Sequence, residues 1–589
     1  MPQPESYRRL ALAVAITAIA LWIYIHAYAL LGPHHWVSLD RWLYHRREDW
    51  IFKKIWALPS LAIAAWLMAR LGHSVTPPVF NTEAESFPQQ RRRLTNPYSV
   101  NLRTRYVFQG HKKRGWVNIL EPFRGLLVMG SPGSGKSWYI IRPLIEQQLQ
   151  KGFTMFVYDF KYDDLSRLVY RCWRQYGNGT TFHLVHFDDL ARSQRCNPIH
   201  PDTLTDLAEA AEASRVLLLS LNRDWIRKQG DFFVESAINF LTALIWFLKR
   251  LKGGQYCTLP HAIELMQTPY ESLFSILRTE PQIEFLINPF ISAYHQNVMP
   301  QLEGQTAGAK ISLARLAVPH LYYILSGNDF SLDINHPDKP RIVCMGNSPQ
   351  KQEVYGAVLS LYVSRLVRQV NQPSRLPCAL VFDEFPTLYF NGVDTLLATA
   401  RSNKVAATLV VQDMSQLRKE YGKEQADVLL NLTGNVIAGQ VTGESAHQLS
   451  ERFGRILQER KSTHKGERSE STGLSYHLDP ALPPSRLATL SAGEMVGVLS
   501  DNPSQPLTYK LFHGQMVRSP EAPSVEIPML DKPPTEKDIN DNYNKIKEEI
   551  RDLVIDAMER INKEPSLQHL RVQQKKGEIT HWHLKEKPA

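Results

Sequence analysis

The sequence predicts an α/β protein built on a parallel sheet, with an all-helical segment inserted into it and an apolar anchor at the N-terminus. Three observations carry this expectation. Short apolar runs alternate with helical patterns from Gly125 to Ala438, interrupted by one long stretch without strand signals, Asp202 to Asp338. A glycine-rich loop, Gly130 to Ser137, joins one of those runs to a helical stretch. Leu10 to Leu31 is an uncharged run of 22 residues, long enough at about 1.5 Å per residue to cross a hydrocarbon core.

At 589 residues the chain is too long for one core, and with 43% hydrophobic and 21% charged residues it is neither wholly disordered nor a polytopic transporter. Its five cysteines, Cys172, Cys196, Cys257, Cys344 and Cys378, stand far apart, which argues against a disulfide framework or structural zinc.

The first apolar run reads as a transmembrane helix; with Arg8 and Arg9 before it, a cleaved signal peptide is the weaker alternative. A second run, Ile55 to Leu71, holds Pro59, follows Trp50 and ends with Arg70. It reads as a second span, with an interfacial helix as the alternative. Two spans place both ends on one side, and the anchor covers residues 1–75. Residues 76–98, with several prolines and the Arg91 to Arg93 run, read as a linker.

The sheet domain is expected over 99–201 and 339–518. A strand pair is read at Arg105 to Phe108 and Trp116 to Leu120. Strands follow at Gly125 to Gly130, Thr154 to Tyr158, His183 to His186, Ile342 to Met345, Ala379 to Phe382, Thr408 to Val411 and Val436 to Ala438. The helical subdomain covers 202–338, with helices at Leu207 to Leu221, Phe232 to Leu248, Tyr270 to Leu277 and Ala307 to Ala317. Glu459 to Ser475 is polar and reads as a loop or hairpin. A proline-rich linker follows at 519–536, then a C-terminal helix and basic tail over 537–589. In that helix Ile546, Ile550, Leu553, Val554, Ala557, Met558 and Ile561 make an apolar stripe that needs a surface to pack on.

Gly130, Ser131, Pro132, Gly133, Ser134, Gly135, Lys136 and Ser137 satisfy the spacing of a phosphate-binding loop, between a strand and the helical stretch Trp138 to Gln150. Glycines let backbone N–H groups converge on phosphates, and the helix start adds a favourable dipole. Lys136 is assigned to the β- and γ-phosphates of ATP, and the Ser137 hydroxyl to Mg²⁺. The loop needs a carboxylate at a nearby strand end. CALVFDE, Cys378 to Glu384, supplies Asp383 for the metal and Glu384 to polarise the attacking water, so hydrolysis is expected. Gln412 ends the strand TLVVQ, next to that of Asp383. It reads as a γ-phosphate sensor or, equally, a polar strand cap. Arg401 closes a helical stretch and reads as an arginine finger for a neighbouring subunit or, equally, a solvated surface group.

With these residues in place the chain resembles the type IV secretion coupling proteins, the TraG/TraD family of conjugation systems, and most closely the group found in Bacteroidetes mobile elements. The likeness runs from about Pro122 to Asn502. It rests on PFRGLLVMGSPGSGKS, VYDFKYDDL at Val157 to Leu165, FDEFPTLYFNGVDTLLATARSNKVA at Phe382 to Ala406, VVQDMSQL around Gln412, and LSERFG at Leu449 to Gly454. Asp159 and Lys161 match the family's Asp-x-Lys, with Phe160 and Tyr162 replacing its commoner Pro and Gly.

The resemblance implies a RecA-like P-loop NTPase, anchored in the bacterial inner membrane with its ATPase domain in the cytoplasm, that forms a hexamer. It implies a coupling ATPase that receives a relaxase and relaxosome proteins bound to single-stranded DNA and passes them to the type IV secretion channel. It also favours the trans finger for Arg401 and the sensor for Gln412. The alternative is a double-stranded DNA pump of the chromosome-segregation kind. Lys404, Arg418, Lys419, Lys461 and Lys465 are candidate DNA contacts, each with a solvated surface as the plainer reading.

The net charge of +10 sits at the membrane end: residues 1–114 hold 16 Lys+Arg against 6 Asp+Glu, and the remainder 52 of each. It reads as juxtamembrane charge facing anionic lipid rather than as a DNA-binding surface.

Overall fold

The computed structural model describes residues 86–574 apart from 109, 178, 466–469 and 521–522, together with the backbone but not the side chains of 457–465 and 470–477. The expected anchor, with both apolar runs, and the basic end of the tail lie outside the described residues. The strands are β1 (Val100–Phe108), β2 (His111–Ile119), β3 (Leu126–Met129), β4 (Thr154–Asp159), β5 (Thr181–Val185), β6 (Arg341–Gly346), β7 (Cys378–Phe382), β8 (Val405–Val411), β9 (Asn435–Ala438), β10 (Arg455–Lys465), β11 (Glu470–Pro480), β12 (Glu494–Val498) and β13 (Leu511–Met516). Eleven of them form one sheet in the order β2-β1-β13-β12-β9-β3-β8-β7-β4-β6-β5, while β10 and β11 pair as a separate hairpin.

From β9 to β5 every neighbour is parallel, and β12, β13, β1 and β2 continue the sheet antiparallel. Apart from the edge strand β5, the parallel strands are buried on both sides, so their sequences are apolar without alternation. Period two still sorts the side chains: Leu127, Met129, Phe156 and Tyr158 enter one core, Val128, Met155 and Val157 the other.

Helices cover both faces. A wide turn at Ser137–Ile141 leads into α1 (Arg142–Gln150), which packs beside α2 (Asp164–Tyr176) on one side. Between β5 and β6 the chain forms α3 (Leu207–Leu221), α4 (Phe232–Arg250), α5 (Leu259–Met266), α6 (Tyr270–Leu277), α7 (Glu284–His295), α8 (Met299–Ala314) and α9 (Pro319–Leu325), with no strand among the described residues. Asp206, Asp231 and Thr258 cap α3, α4 and α5, their side chains accepting from first-turn N–H groups. By composition α4 could cross a membrane, yet it forms the buried centre of this segment. α10 (Gln352–Val370) packs on α3 and ties the insertion to the sheet. The remaining helices of seven residues or more are α11 (Val393–Thr399), α12 (Met414–Tyr421), α13 (Lys423–Leu432), α14 (Gly443–Phe453) and α15 (Glu536–Lys563), and a short helical turn lies at Pro484–Ala488.

The apolar stripe of α15 finds its surface on α5, α6 and α9. Ile546, Ile550, Leu553 and Ile561 are buried there, Glu549 Oε2 lies 3.0 Å from His261 Nε2, and Tyr543 packs on Tyr322 with ring centroids 5.0 Å apart. A capping box between Thr535 and Asp538 starts the helix.

Two segments expected as linkers are docked where they are described. Gln89 is buried and donates to His513 O at 2.6 Å, Trp116 N donates to Gln90 O, and Arg93 lies over the Trp116 ring. In the proline-rich segment Leu530 N donates to Ala191 O, and Arg192 Nε donates to Ile527 O.

The sequence reading missed β12 and β13, whose apolar pattern is broken by glycines. Gly497 has a packing reason: a Cβ there would lie 2.3 Å from Val436 O and 2.6 Å from the Phe512 ring.

Candidate nucleotide site

β3 ends at Met129 and the chain enters the loop at Gly130. Gly133 and Gly135 take φ of 80° and 95°, and a Cβ on Gly135 would meet the Tyr139 ring at 2.6 Å, so only glycine fits. The loop is braced from β9 onward: Ser131 N donates to Gln440 O at 2.8 Å, and Gly493 N donates to Ser134 O at 2.9 Å. Lys136 folds back over its own loop, its Nζ donating to Gly130 O and, at 3.4 Å, to Ser131 O. Burial lowers the Lys136 pKa, while Glu384 and Asp383 oppose that shift. The buried Ser134 hydroxyl has no hydrogen-bond partner.

Asp383 and Glu384 follow β7. β8 lies between β3 and β7, so the carboxylates stand two strands from the loop and Gln412, just after β8, stands between them. Asp383 N donates to Tyr158 O at 3.1 Å. The Asp383 carboxyl is pushed up to about 7, first by burial and then by Asp159 and Glu384, against the pull of Lys136 and Lys161. Glu384 is 8% exposed and sits in the left-handed region, φ 56° and ψ 56°. That conformation costs a non-glycine residue roughly 1–2 kcal/mol and must be held by its neighbours. Thr387 does so twice, its N–H and hydroxyl both donating to Glu384 O, at 3.0 and 2.7 Å. Gln412 Nε2 donates to Glu384 Oε2 at 2.9 Å. Glu384 Oε1 is buried without a partner.

The eight loop residues, Asp383, Glu384 and Gln412 therefore gather at the carboxyl edge of neighbouring parallel strands, where open α/β sheets bind ligands. The residues present fit a magnesium nucleotide. Asp383 and Glu384 lie near Lys136 and its glycine cradle, Asp159 crowds Asp383, and Asp159 and Glu384 each keep a buried unpartnered oxygen.

Arg401 is not part of this cluster. It is exposed just before β8, whose seven residues, at about 3.3 Å each, put it roughly 20 Å from Gln412 at the other edge of the sheet. Among the DNA-contact candidates, Arg418 is committed to ion pairs with Asp427 and Glu444 and is withdrawn. Lys419 is exposed and Lys404 lies near the Tyr98 ring, while the side chains of Lys461 and Lys465 lie outside the described residues.

Two parts of the site were given no place in it by the sequence reading, which names Asp159 only within a family motif. Asp159, at the end of β4, points one oxygen at the Ser166 N–H and hydroxyl, both 2.8 Å away, and leaves the other unpartnered; burial pushes its pKa up to about 6. Its signal was present, an apolar run ending in Asp as at Asp383. The second part is a buried chain: Asn347 Nδ2 donates to the Tyr158 hydroxyl at 2.8 Å, which meets Thr387 Oγ1 at 2.6 Å. No spacing rule could have shown it.

The sequence profile of type IV secretory system conjugative DNA transfer proteins matches residues 81–503. The chain belongs to this family. Its role is accordingly that of a conjugative DNA transfer coupling protein, and the chromosome-segregation alternative is set aside. The family fold is also found in solved structures. The bacterial conjugative coupling protein TrwBdeltaN70, in its unbound monoclinic form, is similar with a TM-score of 0.55 at 16% identity, over 70% of this chain and 88% of that one. The plasmid coupling protein TrwB in complex with ADP and Mg²⁺ gives 0.52 at 16% identity, again over 70% and 88%. Its complex with the non-hydrolysable GTP analogue GDPNP gives 0.53 at 15%, over 70% and 89%. No curated protein matches the sequence significantly.

Proposed function

We propose that this conjugative transfer protein is an ATPase, anchored by residues 1–75 in the bacterial inner membrane, that drives relaxase-bound single-stranded DNA into the secretion channel. The observation that carries the reading is the convergence of the Gly130–Ser137 loop, Asp383, Glu384 and Gln412 at one sheet edge. The nucleotide complexes of TrwB support the choice of ATP with Mg²⁺.

Ser137 and Asp383 would hold Mg²⁺, which supplies neutralisation of phosphate charge. Lys136 adds its own positive charge over the loop, where its ammonium already lies against Gly130 O. Glu384 takes the proton of the attacking water on its buried free oxygen, and Gln412 holds the other oxygen so that the carboxylate faces one way. Arg401, remote from its own chain's loop, serves the loop of the next subunit in a hexamer, so that ring assembly licenses hydrolysis. Relaxosome and channel components are the remaining partners.

The test is Lys136→Ala in the full chain. ATP turnover is expected to fall at least about a hundred-fold, and plasmid transfer to be lost with protein levels unchanged. Normal transfer by that variant would refute the motor role.

A further inference from the structure

The turn after Glu384 is held from the helical insertion. Arg223 follows α3 and reaches across to the sheet domain, where its Nη2 donates to Thr387 O at 2.9 Å. Its Nη1 lies 3.7 Å from Glu420 Oε2, and its guanidinium lies 5.7 Å from the Tyr389 ring centroid. Gln352, at the start of α10, donates to the same Thr387 carbonyl at the longer distance of 3.2 Å. One turn earlier in α3, Ser220 Oγ donates to Tyr389 O at 3.1 Å. Ser220, in the last turn of the insertion's first helix, and Arg223, just beyond that helix, therefore grip the Phe385–Tyr389 segment.

Thr387 is the residue that fixes the left-handed Glu384. Its hydroxyl is the last donor in a one-way chain, from the Asn347 amide to the Tyr158 hydroxyl, to Thr387 Oγ1, and on to Glu384 O. Arg223 acts on the carbonyl of the same residue. A charge-assisted bond there is among the stronger contacts available to a backbone oxygen. The cleft beside it, about 690 Å³, is lined by Arg223 and Trp225 on the insertion side and by Glu384, Thr387 and Gln412 on the sheet side. The latch thus stands where the insertion and the hydrolytic carboxylate meet.

We infer that Arg223 is a positioning residue for Glu384, through which the state of the helical insertion sets the rate of hydrolysis. The inference rests on the proposed ATPase reading. It deepens that reading by naming a route by which a change in the insertion reaches the site. When α3 shifts and Arg223 leaves Thr387 O, the turn loosens, Glu384 loses its single orientation, and the bound nucleotide is retained but not hydrolysed.

The experiment compares Arg223→Ala, Arg223→Lys and Thr387→Val in the full chain. For Arg223→Ala, kcat for ATP is expected to fall about ten-fold or more with KM within about two-fold, because the residue touches the carboxylate's support and not the nucleotide. Arg223→Lys, which keeps one donor, recovers part of the loss. Thr387→Val loses kcat in the same way with Arg223 intact, and adding Arg223→Ala to it gives little further loss. Amide exchange at Thr387 and Leu388 is measured alongside and is expected to quicken about ten-fold in Arg223→Ala. Wild-type kcat and wild-type exchange in Arg223→Ala overturn the inference, as does a KM that rises as much as kcat falls. If Arg223→Ala does not fold, Thr387→Val decides, unchanged kcat counting against the relay. A wild-type chain that binds ATP without turnover refutes the ATPase reading instead, and the exchange measurement still judges the latch.

Discussion

Gln412 donates its side-chain amide to the Glu384 carboxylate across 2.9 Å, from the end of the strand that separates the phosphate loop from the acidic pair. Because that strand touches both neighbours, Gln412 stands, in the proposed mechanism, where it would respond to the nucleotide and hold Glu384. The two roles weighed from sequence, sensor and strand cap, leave out this contact.

Gln412→Ala is expected to lower kcat about ten-fold or more while nucleotide affinity stays within about two-fold. Gln412→Glu sets a carboxylate against a carboxylate and is expected to be worse than alanine. Steady-state ATP hydrolysis with a fluorescent-nucleotide titration separates the effects. Equal loss of binding and turnover would count against the assigned role.

Arg401 is exposed at the far end of β8 from its own loop. Rings mixed from Arg401→Ala and Lys136→Ala chains are therefore expected to recover ATPase activity, since intact loops then meet intact arginines. Absence of recovery at every mixing ratio removes the finger role.

Ile550 is 4% exposed on the face of α15 that covers the insertion, whereas Ile555, on the outer face, is 49% exposed. Ile550→Ala is expected to destabilise by about 2–4 kcal/mol and Ile555→Ala by well under about 1 kcal/mol. Protease resistance of the 202–338 region reads the difference.

His183, on β5, stacks on Phe330 with ring centroids 4.5 Å apart, and burial, then Arg341, push its pKa down to about 4. Below about pH 6.5 the unfolded chain takes up a proton that the folded one refuses. Stability is therefore fully present above about pH 6.5 and is lost as pH falls towards about 4. His183→Gln is expected to remove about 1–2 kcal/mol of the wild type's loss between pH 7 and pH 5. Melting curves of both proteins at those two pH values check it.

The site was legible in the sequence where its chemistry is local. A strand followed by Gly130–Ser137, and a strand followed by Asp383 and Glu384, are each complete within a dozen residues. What joins them is strand order, and 28 residues separate Glu384 from Gln412. Arg223 and Thr387, 164 residues apart, meet only because α3 returns to the sheet. In the fold, continuous apolar runs marked the buried parallel strands, while β12 and β13 escaped because glycine close to a neighbouring backbone erases the pattern. The docking of residues 86–98 was invisible because its bonds come mostly from backbone groups and amides rather than from an apolar stripe.

The surface that α15 covers belongs to helices made nearly three hundred residues earlier, since His261 meets Glu549 at a separation of 288. During synthesis, at roughly 5–20 residues per second, the insertion must wait on the order of tens of seconds with that apolar face uncovered. Truncated chains ending before Thr535 never receive the cover. They are the forms expected to engage chaperones and proteases, so a chain must be finished before its insertion is protected.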